Sequence, residues 1–275
     1  MRDFIRRSLQ EDIGSGDHSS LASIPEGTRG KARMLIKEDG ILAGVELAKE
    51  VFHLADPTLR VDIRIQDGTP VHKGDVALIV EGSVHSILKT ERLVLNLAQR
   101  LSGVATRTYH MAQLIKGTGC RLLDTRKTTP GLRLLEKWAV KTGGGENHRF
   151  GLYDMVMLKD NHNDYAGGIT TAVANTVTYL KKHNLNLKIE VETRNLDEVK
   201  EALATGHVDR IMLDNFTPEK MKEAVDYIAG KVETEASGGI TEATIRAYAE
   251  TGVDYISVGA LTHSVKSLDI SLKEV

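Results

Sequence analysis

The chain has 275 residues, of which 41% are hydrophobic and 27% are charged, and its formal net charge is −2. This balance is typical of a globular protein large enough for two domains, and it excludes disordered and fibrous classes. It provides no overall attraction to nucleic acid or to a membrane surface. Aromatic residues make up only 4%, which further disfavours a nucleic-acid-binding protein.

The N-terminal stretch and the single cysteine predict a cytoplasmic protein. Residues 1–14, MRDFIRRSLQEDIG, are too charged for the apolar region of a signal peptide, and no apolar run is long enough for a membrane span. Cys120 has no partner for an internal disulfide, which fits a reducing compartment. Because it begins an apolar run, we expect a buried structural side chain rather than a nucleophile.

The first hundred residues predict an α+β domain. Strands separated by glycine-containing turns are expected at 29–40, 59–68 and 75–83, with a helix over 44–54. A long helical pattern follows from about Ser86 to Lys116, with an expected break near Ser102-Gly103. Residues 66–82, QDGTPVHKGDVALIVEG, resemble the turn of a lipoyl- or biotin-type carrier. A carrier is disfavoured, because Lys73 lies in a turn that enters a strand and not at an exposed hairpin tip.

The second half alternates short apolar runs with helical patterns. Several helices open with Asn or Thr and end at a glycine, and TTPGLRLLEKWAVKTGGG predicts a further helix capped by Thr129 with Pro130 at its first position. This alternation predicts parallel strands joined by right-handed crossovers. We expect six strands and therefore an incomplete or modified α/β barrel. The six runs are CRLLDT (120–125), MVMLKD (155–160), LKIEVET (187–193), RIMLDN (210–215), VETEASGG (232–239) and YISVGA (255–260).

Polar side chains follow nearly every predicted strand, where ligands bind in parallel α/β barrels. Alternation along LKIEVET places Glu190 and Glu192 on one face, and two acids inside a barrel need cations or a metal beside them. Lys159 shares a face with Met155 and Met157, which predicts an interior, buried lysine. The alternative for the two acids is an edge strand facing solvent. The predicted strand-end residues are Arg126, Lys127, Lys159–His162, Glu192, Asp214, Asn215, Ser237–Gly239 and Gly259.

Two further features indicate an anionic ligand. Residues 121–160 carry eight Lys or Arg against five Asp or Glu, with His148 and Arg149 on a glycine-flanked loop. Ser237, Gly238 and Gly239 precede an expected helix start at Thr241, a position where free N–H groups and the helix dipole bind phosphate. The residues alone predict an enzyme that acts on a sugar phosphate or diphosphate together with an anionic partner, with Mg²⁺ held through the substrate.

Residues 124–162, DTRKTTPGLRLLEKWAVKTGGGENHRFGLYDMVMLKDNH, resemble the quinolinate phosphoribosyltransferase family (nicotinate-nucleotide pyrophosphorylase, carboxylating). Supporting motifs follow the family order over the whole chain: EDIGSGDHSS, ERLVLNLAQRLSG, IEVET, MLDNF, EASGGI and VDYISVGALTHS. The resemblance implies transfer of phosphoribosyl from phosphoribosyl pyrophosphate to quinolinate with Mg²⁺, giving nicotinate mononucleotide, CO₂ and pyrophosphate in NAD synthesis. It implies an α/β sandwich over 1–103, joined by the tail 261–275, and a barrel of about seven strands over 104–260.

The resemblance also implies roles for individual residues. Quinolinate would be bound by Thr125, Arg126, His148, Arg149 and Lys159, with Arg92 reaching in from the neighbouring subunit of a dimer or hexamer. Lys127, Lys159, Glu192 and Asp214 would be catalytic, with Glu192 and Asp214 near Mg²⁺. Ser237, Gly238, Gly239 and Gly259 would hold the 5′-phosphate. The sequence leaves open whether protein or substrate holds the metal. The runner-up is a related enzyme acting on nicotinate, which the large set of cations disfavours.

Overall fold

The computed structural model describes all of residues 1–275, which form two compact units. The first unit comprises Met1–Tyr109, Trp138–Gly144 and Ser264–Val275, and the second comprises His110–Lys137 and Gly145–His263. From the N-terminus the elements are α1 (Arg2–Ile13), α2 (His18–Ser23), β1 (Arg29–Ile36), β2 (Gly40–Ile41), α3 (Val45–Ala55), β3 (Arg60–Ile63), β4 (Pro70–Val71), β5 (Val76–Ser83) and α4 (Val84–Leu114). They continue with β6 (Arg121–Leu123), α5 (Arg133–Thr142), β7 (Val156–Leu158), α6 (Asp160–Ala166), α7 (Ile169–Lys182), β8 (Ile189–Thr193), α8 (Leu196–Ala204), β9 (Arg210–Asp214), α9 (Pro218–Ile228), β10 (Glu233–Ser237), α10 (Ile245–Ala249), β11 (Tyr255–Ser257), α11 (Ala260–His263) and β12 (Ile270–Glu274).

The first unit is built on a four-stranded antiparallel sheet in the order β12-β1-β5-β3. Its three N-terminal strands and α3 confirm the predicted α+β elements. Alternation along β1 buries Ala32, Met34 and Ile36, whereas the intervening residues are more exposed. The tail contributes β12, in which Ile270 pairs with Ile36 and Glu274 with Ala32.

Helix α4 is continuous, so the break expected near Ser102-Gly103 is wrong. Gly103 is required for close packing: a Cβ atom there would lie 2.3 Å from the carbonyl oxygen of Lys266. The Ser102 hydroxyl accepts a hydrogen bond from the Ala43 amide (2.9 Å) and donates one to its carbonyl (3.1 Å). Both residues therefore serve tertiary contacts within the first unit, although the same residue types often mark a helix break.

The second unit contains six parallel strands in the order β6-β11-β10-β9-β8-β7, as the apolar runs predict. An isolated parallel bridge between Leu123 and Glu146 extends the sheet beside β6, at the position of the implied seventh strand. The fold class, an α/β sandwich followed by an incomplete parallel barrel, is confirmed. Helices α8 and α9 begin as predicted, with the Asn195 and Thr217 side chains accepting from the backbone N–H of Glu198 and Lys220.

Two helices begin later than their sequences predict. Helix α5 starts at Arg133, because Thr129 is held in a turn by the Glu136 carboxylate, which accepts from its amide (3.0 Å) and its hydroxyl (2.8 Å). Helix α10 starts at Ile245, after a turn in which the Thr244 hydroxyl accepts from the Thr241 amide (3.0 Å). No helix in the chain combines the length and apolar character needed to cross a membrane.

Candidate active site

A cavity of about 710 Å³ opens at the carboxyl ends of the six parallel strands, within the second unit. It brings together the residues predicted to bind substrates, phosphate and metal except Arg92, because parallel strands deliver their following residues to one edge of the sheet. Of the other predicted strand-end residues, Asn215 lines the cavity, whereas 160–162 lie in α6 and do not. The predicted residues that line it are Thr125, Arg126, Lys127, His148, Arg149, Lys159, Glu192, Asp214, Ser237, Gly238, Gly239 and Gly259. Arg92 is an exposed residue of α4 in the first unit, and its role in a neighbouring subunit's site stays a prediction.

Two guanidinium groups in this cavity, those of Arg126 and Arg149, lie close enough to repel each other. Burial lowers the pKa of Arg149, and repulsion from Arg126 lowers it further. The Nε atom of Arg126 is buried and has no hydrogen-bond partner. A buried, unsatisfied donor on a cation is costly, and an anion that accepts from it removes the cost. This part of the cavity is therefore suited to a ligand with more than one negative charge.

His148 lies at the base of the cavity and is only 8% exposed. Its Nε2 atom lies 3.0 Å from Glu190 Oε2 and 3.2 Å from Glu235 Oε2, while its Nδ1 accepts the backbone N–H of Arg149 (2.6 Å). Both ring nitrogens thus contact protein groups. A direct bond from this ring to a substrate carboxylate stays a prediction.

These contacts determine whether the extra proton of this cluster lies on His148 or on the two glutamates. Burial lowers the pKa of His148, but Glu190 and Glu235 outweigh it and raise the pKa to about 9. A second ring proton would occupy Nδ1, where the Arg149 N–H already points, so the two influences conflict. Because the Arg149 N–H occupies Nδ1, the extra proton lies on the glutamate pair. Burial and repulsion from Glu235 raise the pKa of Glu190 to about 7.

His148, Glu190 and Glu235 have the donor types and spacing of a metal site. Arg210 argues against a metal there, because its Nη1 atom donates to Glu235 Oε2 at 3.0 Å. With Arg210 charged and one proton on the glutamate pair, the group is already neutral. The cluster is therefore a group of buried side chains at the bottom of the cavity whose charges balance one another.

Lys159 is not the buried ammonium that strand alternation predicts, since its side chain is 49% exposed. It lines the open part of the cavity, and its Nζ atom lies 3.6 Å from Glu192 Oε2. Burial raises the pKa of Glu192, and the negative charge of Asp214 raises it further, whereas the positive charge of Lys159 lowers it. Glu192 and Asp214 are thus close enough to repel each other, and a divalent cation between them and a ligand would relieve that repulsion.

The loop after β10 presents free backbone amides. Gly238 and Gly239 have φ angles of 93° and 61°, which glycine adopts without strain. Their N–H groups and that of Gly259 make no hydrogen bond within the chain. At Gly238 a Cβ atom would lie 2.3 Å from Asn215 Oδ1. Free amides of this kind can bind an anion, and they belong to the loop itself, since α10 begins too late to contribute its terminus.

Several cavity residues are missing from the sequence predictions: Glu235, Ser257 and His263. Glu235 had a detectable signal, because Glu233, Glu235 and Ser237 alternate along β10 as Glu190 and Glu192 do along β8. Arg133 is the reverse case, a charged residue whose place in the sequence suggests a site residue but which lies outside the cavity. It belongs to the cation-rich segment but does not line the cavity, and it donates instead to Thr128 Oγ1 (3.0 Å) and the Phe150 carbonyl (3.1 Å).

Comparisons with known proteins agree with this geometry. Two family models match, "Quinolinate phosphoribosyl transferase, N-terminal domain" over residues 17–102 and the corresponding C-terminal domain over 104–273. The chain is 50% identical to the Arabidopsis thaliana protein "Nicotinate-nucleotide pyrophosphorylase [carboxylating], chloroplastic", covering 98% of this chain and 81% of the relative. It is 48% identical to "Quinolinate phosphoribosyltransferase [decarboxylating] 1b" of Nicotiana tabacum, with coverages of 99% and 82%. The crystal structure of NadC from Streptococcus pyogenes superposes with a TM-score of 0.94 at 40% identity, covering 99% of this chain and 96% of that one. A matched family over nearly the whole length, together with a polyanion cavity on the same fold, identifies the chain as a member of the quinolinate phosphoribosyltransferase family.

Proposed function

We propose that the cavity at the carboxyl ends of the barrel strands is where this enzyme binds quinolinate and phosphoribosyl pyrophosphate. The chain is a decarboxylating phosphoribosyltransferase: it transfers phosphoribosyl to quinolinate and releases nicotinate mononucleotide, CO₂ and pyrophosphate in NAD biosynthesis. The observation that supports the location best is that Arg126 and Arg149 repel each other in the cavity while the buried Arg126 Nε has no hydrogen-bond partner. Quinolinate carries two adjacent carboxylates, and each guanidinium fork can give one carboxylate two charge-assisted hydrogen bonds.

The second substrate fits the rest of the cavity. The free amides of Gly238, Gly239 and Gly259 would hold the 5′-phosphate of phosphoribosyl pyrophosphate, with the Ser237 hydroxyl beside them. Lys127 is exposed and lies against Gly259, where a Cβ atom would come within 2.8 Å of its Cδ atom. This lysine can therefore reach the pyrophosphate of a sugar whose 5′-phosphate sits in the glycine loop.

The reaction then follows from charge placement. The pyridine nitrogen attacks the anomeric carbon while the bond to pyrophosphate breaks, and Lys127 balances the charge that develops on the leaving group. The sugar gains positive character as this bond breaks, which Glu192 and Asp214 stabilise. When CO₂ leaves, the electron pair of the broken bond stays on the ring carbon, where the adjacent cationic nitrogen stabilises it. The same pair then takes up a proton and forms the new C–H bond. Lys159 and the arginines orient the ring by its carboxylates.

We propose Mg²⁺ as the cofactor, with Glu192 and Asp214 as its contacts on the protein. Their mutual repulsion and their oxygen donors fit a hard divalent cation that is otherwise held by substrate phosphates. When bound, Mg²⁺ supplies additional positive charge at the pyrophosphate. Quinolinate turnover should require Mg²⁺, and Asp214→Asn should raise the Mg²⁺ concentration needed for half-maximal rate. An unchanged requirement would exclude Asp214 from the metal site.

Substrate choice provides the test of the proposed function. Nicotinate has one carboxylate, so it would leave Arg126 or Arg149 desolvated and unpaired, which costs several kcal/mol in a closed site. We expect kcat/KM for quinolinate to exceed that for nicotinate by at least about a thousandfold, since about 1.4 kcal/mol corresponds to each factor of ten. Product mass and CO₂ release measure both reactions. Similar values for the two acids would favour the nicotinate-type relative.

We further propose that Arg92 completes a site in a neighbouring subunit of a homo-oligomer, either a dimer or a hexamer. Support comes from the match of the ERLVLNLAQRLSG motif to the family and from the exposure of Arg92. Mixed oligomers of inactive Arg92→Ala and inactive Lys159→Ala subunits should regain part of the activity. Mixtures that exchange subunits and stay inactive would contradict a shared site.

The proposed location is the cytoplasm, on the ground that Cys120 is the single cysteine and is buried. Burial raises the pKa of its thiol to about 12, which makes it unreactive as a nucleophile. Fractionation of the source cells, with the enzyme activity measured in each fraction, tests the location. Activity confined to an organelle or to an extracellular fraction would contradict it.

A further inference from the structure

A buried ion pair connects the two segments that carry the cavity's arginines. Asp124 directly precedes Thr125–Lys127, and it forms an ion pair with Lys137 of α5. The two side chains are 0% and 2% exposed. Neither residue lines the cavity, so the pair acts on the site only through its neighbours.

Both charged groups hold the backbone of His148. The Asp124 carboxylate accepts the His148 N–H (2.9 Å), and Lys137 Nζ donates to the His148 carbonyl (3.0 Å). With its amide oriented to satisfy its own hydrogen bonds, Asn147 donates to the second oxygen of Asp124 (2.8 Å). Arg149 is the next residue in the chain. The pair thus fixes the backbone just before each of the two cations, at Asp124 ahead of Arg126 and at His148 ahead of Arg149.

A second connection lies one helical turn away on α5. Arg133, four residues before Lys137, donates to Thr128 Oγ1 (3.0 Å) on the first segment and to the Phe150 carbonyl (3.1 Å) on the second. Two of the cations in this positively charged region, Lys137 and Arg133, therefore bind protein groups outside the cavity, whereas Arg126 and Arg149 line it. Residues at i and i+4 share one helix face, so the start of α5 presents both connections on the same side.

The energetic balance indicates that this ion pair serves geometry more than stability. A buried ion pair contributes little compared with well-packed apolar residues, because removing both charges from water is costly. Burial raises the pKa of Asp124 to about 6 even though Lys137 opposes this. In contrast, a misplacement of about 1 Å in a substrate-binding group can cost about a hundredfold in rate. The spacing of two guanidinium forks is a property that such a pair can set.

We propose that Asp124 and Lys137 are a positioning pair that sets the spacing of Arg126 and Arg149 for the two carboxylates of quinolinate. The inference rests on the proposed function of the cavity. The variant Asp124→Asn/Lys137→Met removes both charges together and leaves no buried charge unpaired. We expect the KM for quinolinate to rise by about a hundredfold, with the KM for phosphoribosyl pyrophosphate within about twofold of wild type and Tm nearly unchanged. Lys222→Met/Asp226→Asn removes an exposed ion pair of the same type and should change neither KM.

Asn147→Ala covers the case in which the double variant does not fold. The Asn147 side chain is exposed, so its truncation should be tolerated, and loss of its bond to Asp124 should raise the quinolinate KM by about threefold to tenfold. An unchanged quinolinate KM in a folded double variant would overturn the inference. Equal losses for both substrates that follow the loss of Tm would also overturn it, since they indicate a purely structural pair. A wild-type enzyme without quinolinate turnover would overturn the proposed function and the role of the pair with it.

Discussion

Charged side chains gather at both ends of the barrel strands, but they are arranged in opposite ways. Opposite charges are paired at the amino ends, whereas like charges lie close together at the carboxyl ends. At the amino ends, the ring of Tyr255 lies between two guanidinium groups, 4.1 Å from that of Arg121 and 4.0 Å from that of Arg210. Glu233 accepts from Arg210 (3.0 Å) and from the Tyr255 hydroxyl (3.2 Å). Both arginines there have a carboxylate partner, Glu146 at 3.6 Å from Arg121 and Glu233 at 3.0 Å from Arg210.

At the carboxyl ends, Arg126 and Arg149 repel each other and Glu192 faces Asp214. Like charges that are held together by the fold cost free energy until a ligand neutralises them. Ion-paired arginines therefore hold the structure together at one end of the strands, whereas like charges lie close together in the cavity proposed to bind the substrates at the other. Residue type alone does not distinguish these two roles, because arginine and glutamate occur at both ends.

Removing one unpaired arginine should produce the largest effect on function. Arg126→Ala should lower kcat/KM for quinolinate by about a thousandfold, because a carboxylate loses a bidentate, charge-assisted partner in a largely dehydrated site. The Tm should stay equal to that of wild type or rise slightly, since repulsion with Arg149 disappears. Steady-state kinetics and thermal unfolding measure the two effects. Arg246→Ala, which removes an exposed arginine paired with Glu250, is the matched control. A parallel loss of activity and Tm would contradict a binding role.

Removing one paired arginine should have the reverse outcome. Arg210→Met leaves Glu235 without its cation and Glu233 with Lys188 alone, and it opens the stack on Tyr255, so the free energy of unfolding should fall by about 3 kcal/mol. The KM for phosphoribosyl pyrophosphate should change little in the folded variant. Denaturant unfolding measures the loss, with Arg194→Met at an exposed salt-bridge site as the control. Unchanged stability would show that the amino-end network does not hold the fold together.

The sequence predicts the second unit and its cavity well because their signals are local. Parallel strands end at one edge, so polar residues after each apolar run must converge, and the cavity contains them. Features set by distant contacts were not predictable. Gly103 looks like a helix break until the 266–267 backbone packs against it. Lys159 shares a face with two methionines, yet the cavity opens beside it and leaves it half exposed.

The positioning pair has the same origin. The stretch DTRKTTPGLRLLEK does not reveal that Asp124 contacts Lys137. The sequence predicts that α5 begins after Thr129, but a turn delays its start to Arg133, and this turn sets where Lys137 lies relative to Asp124. Nor does the local sequence show that residues 146–149 return beside β6, which depends on the bridge between Leu123 and Glu146. Sequence patterns identify which residues carry charge at the site. The partners that position those residues come from chain segments whose meeting is a property of the whole fold.

The smallest effect expected is a pH dependence at the base of the cavity, where the paired and unpaired regions meet. Glu190 faces His148 and Glu235, with Arg210 beyond, and burial followed by repulsion from Glu235 raises its pKa from 4.5 to about 7. A raised carboxyl pKa means that the folded state holds the proton more tightly than the unfolded state does. Its contribution to stability is therefore present below pH 4.5 and is lost as the pH rises through 7. Glu190→Gln carries no titrating group, so its stability relative to wild type should increase by about 2 kcal/mol between about pH 5 and about pH 8. Thermal unfolding across this range measures the difference, and Glu223→Gln, at an exposed site on α9, should run parallel to wild type. A constant difference between wild type and Glu190→Gln would contradict the raised pKa of Glu190.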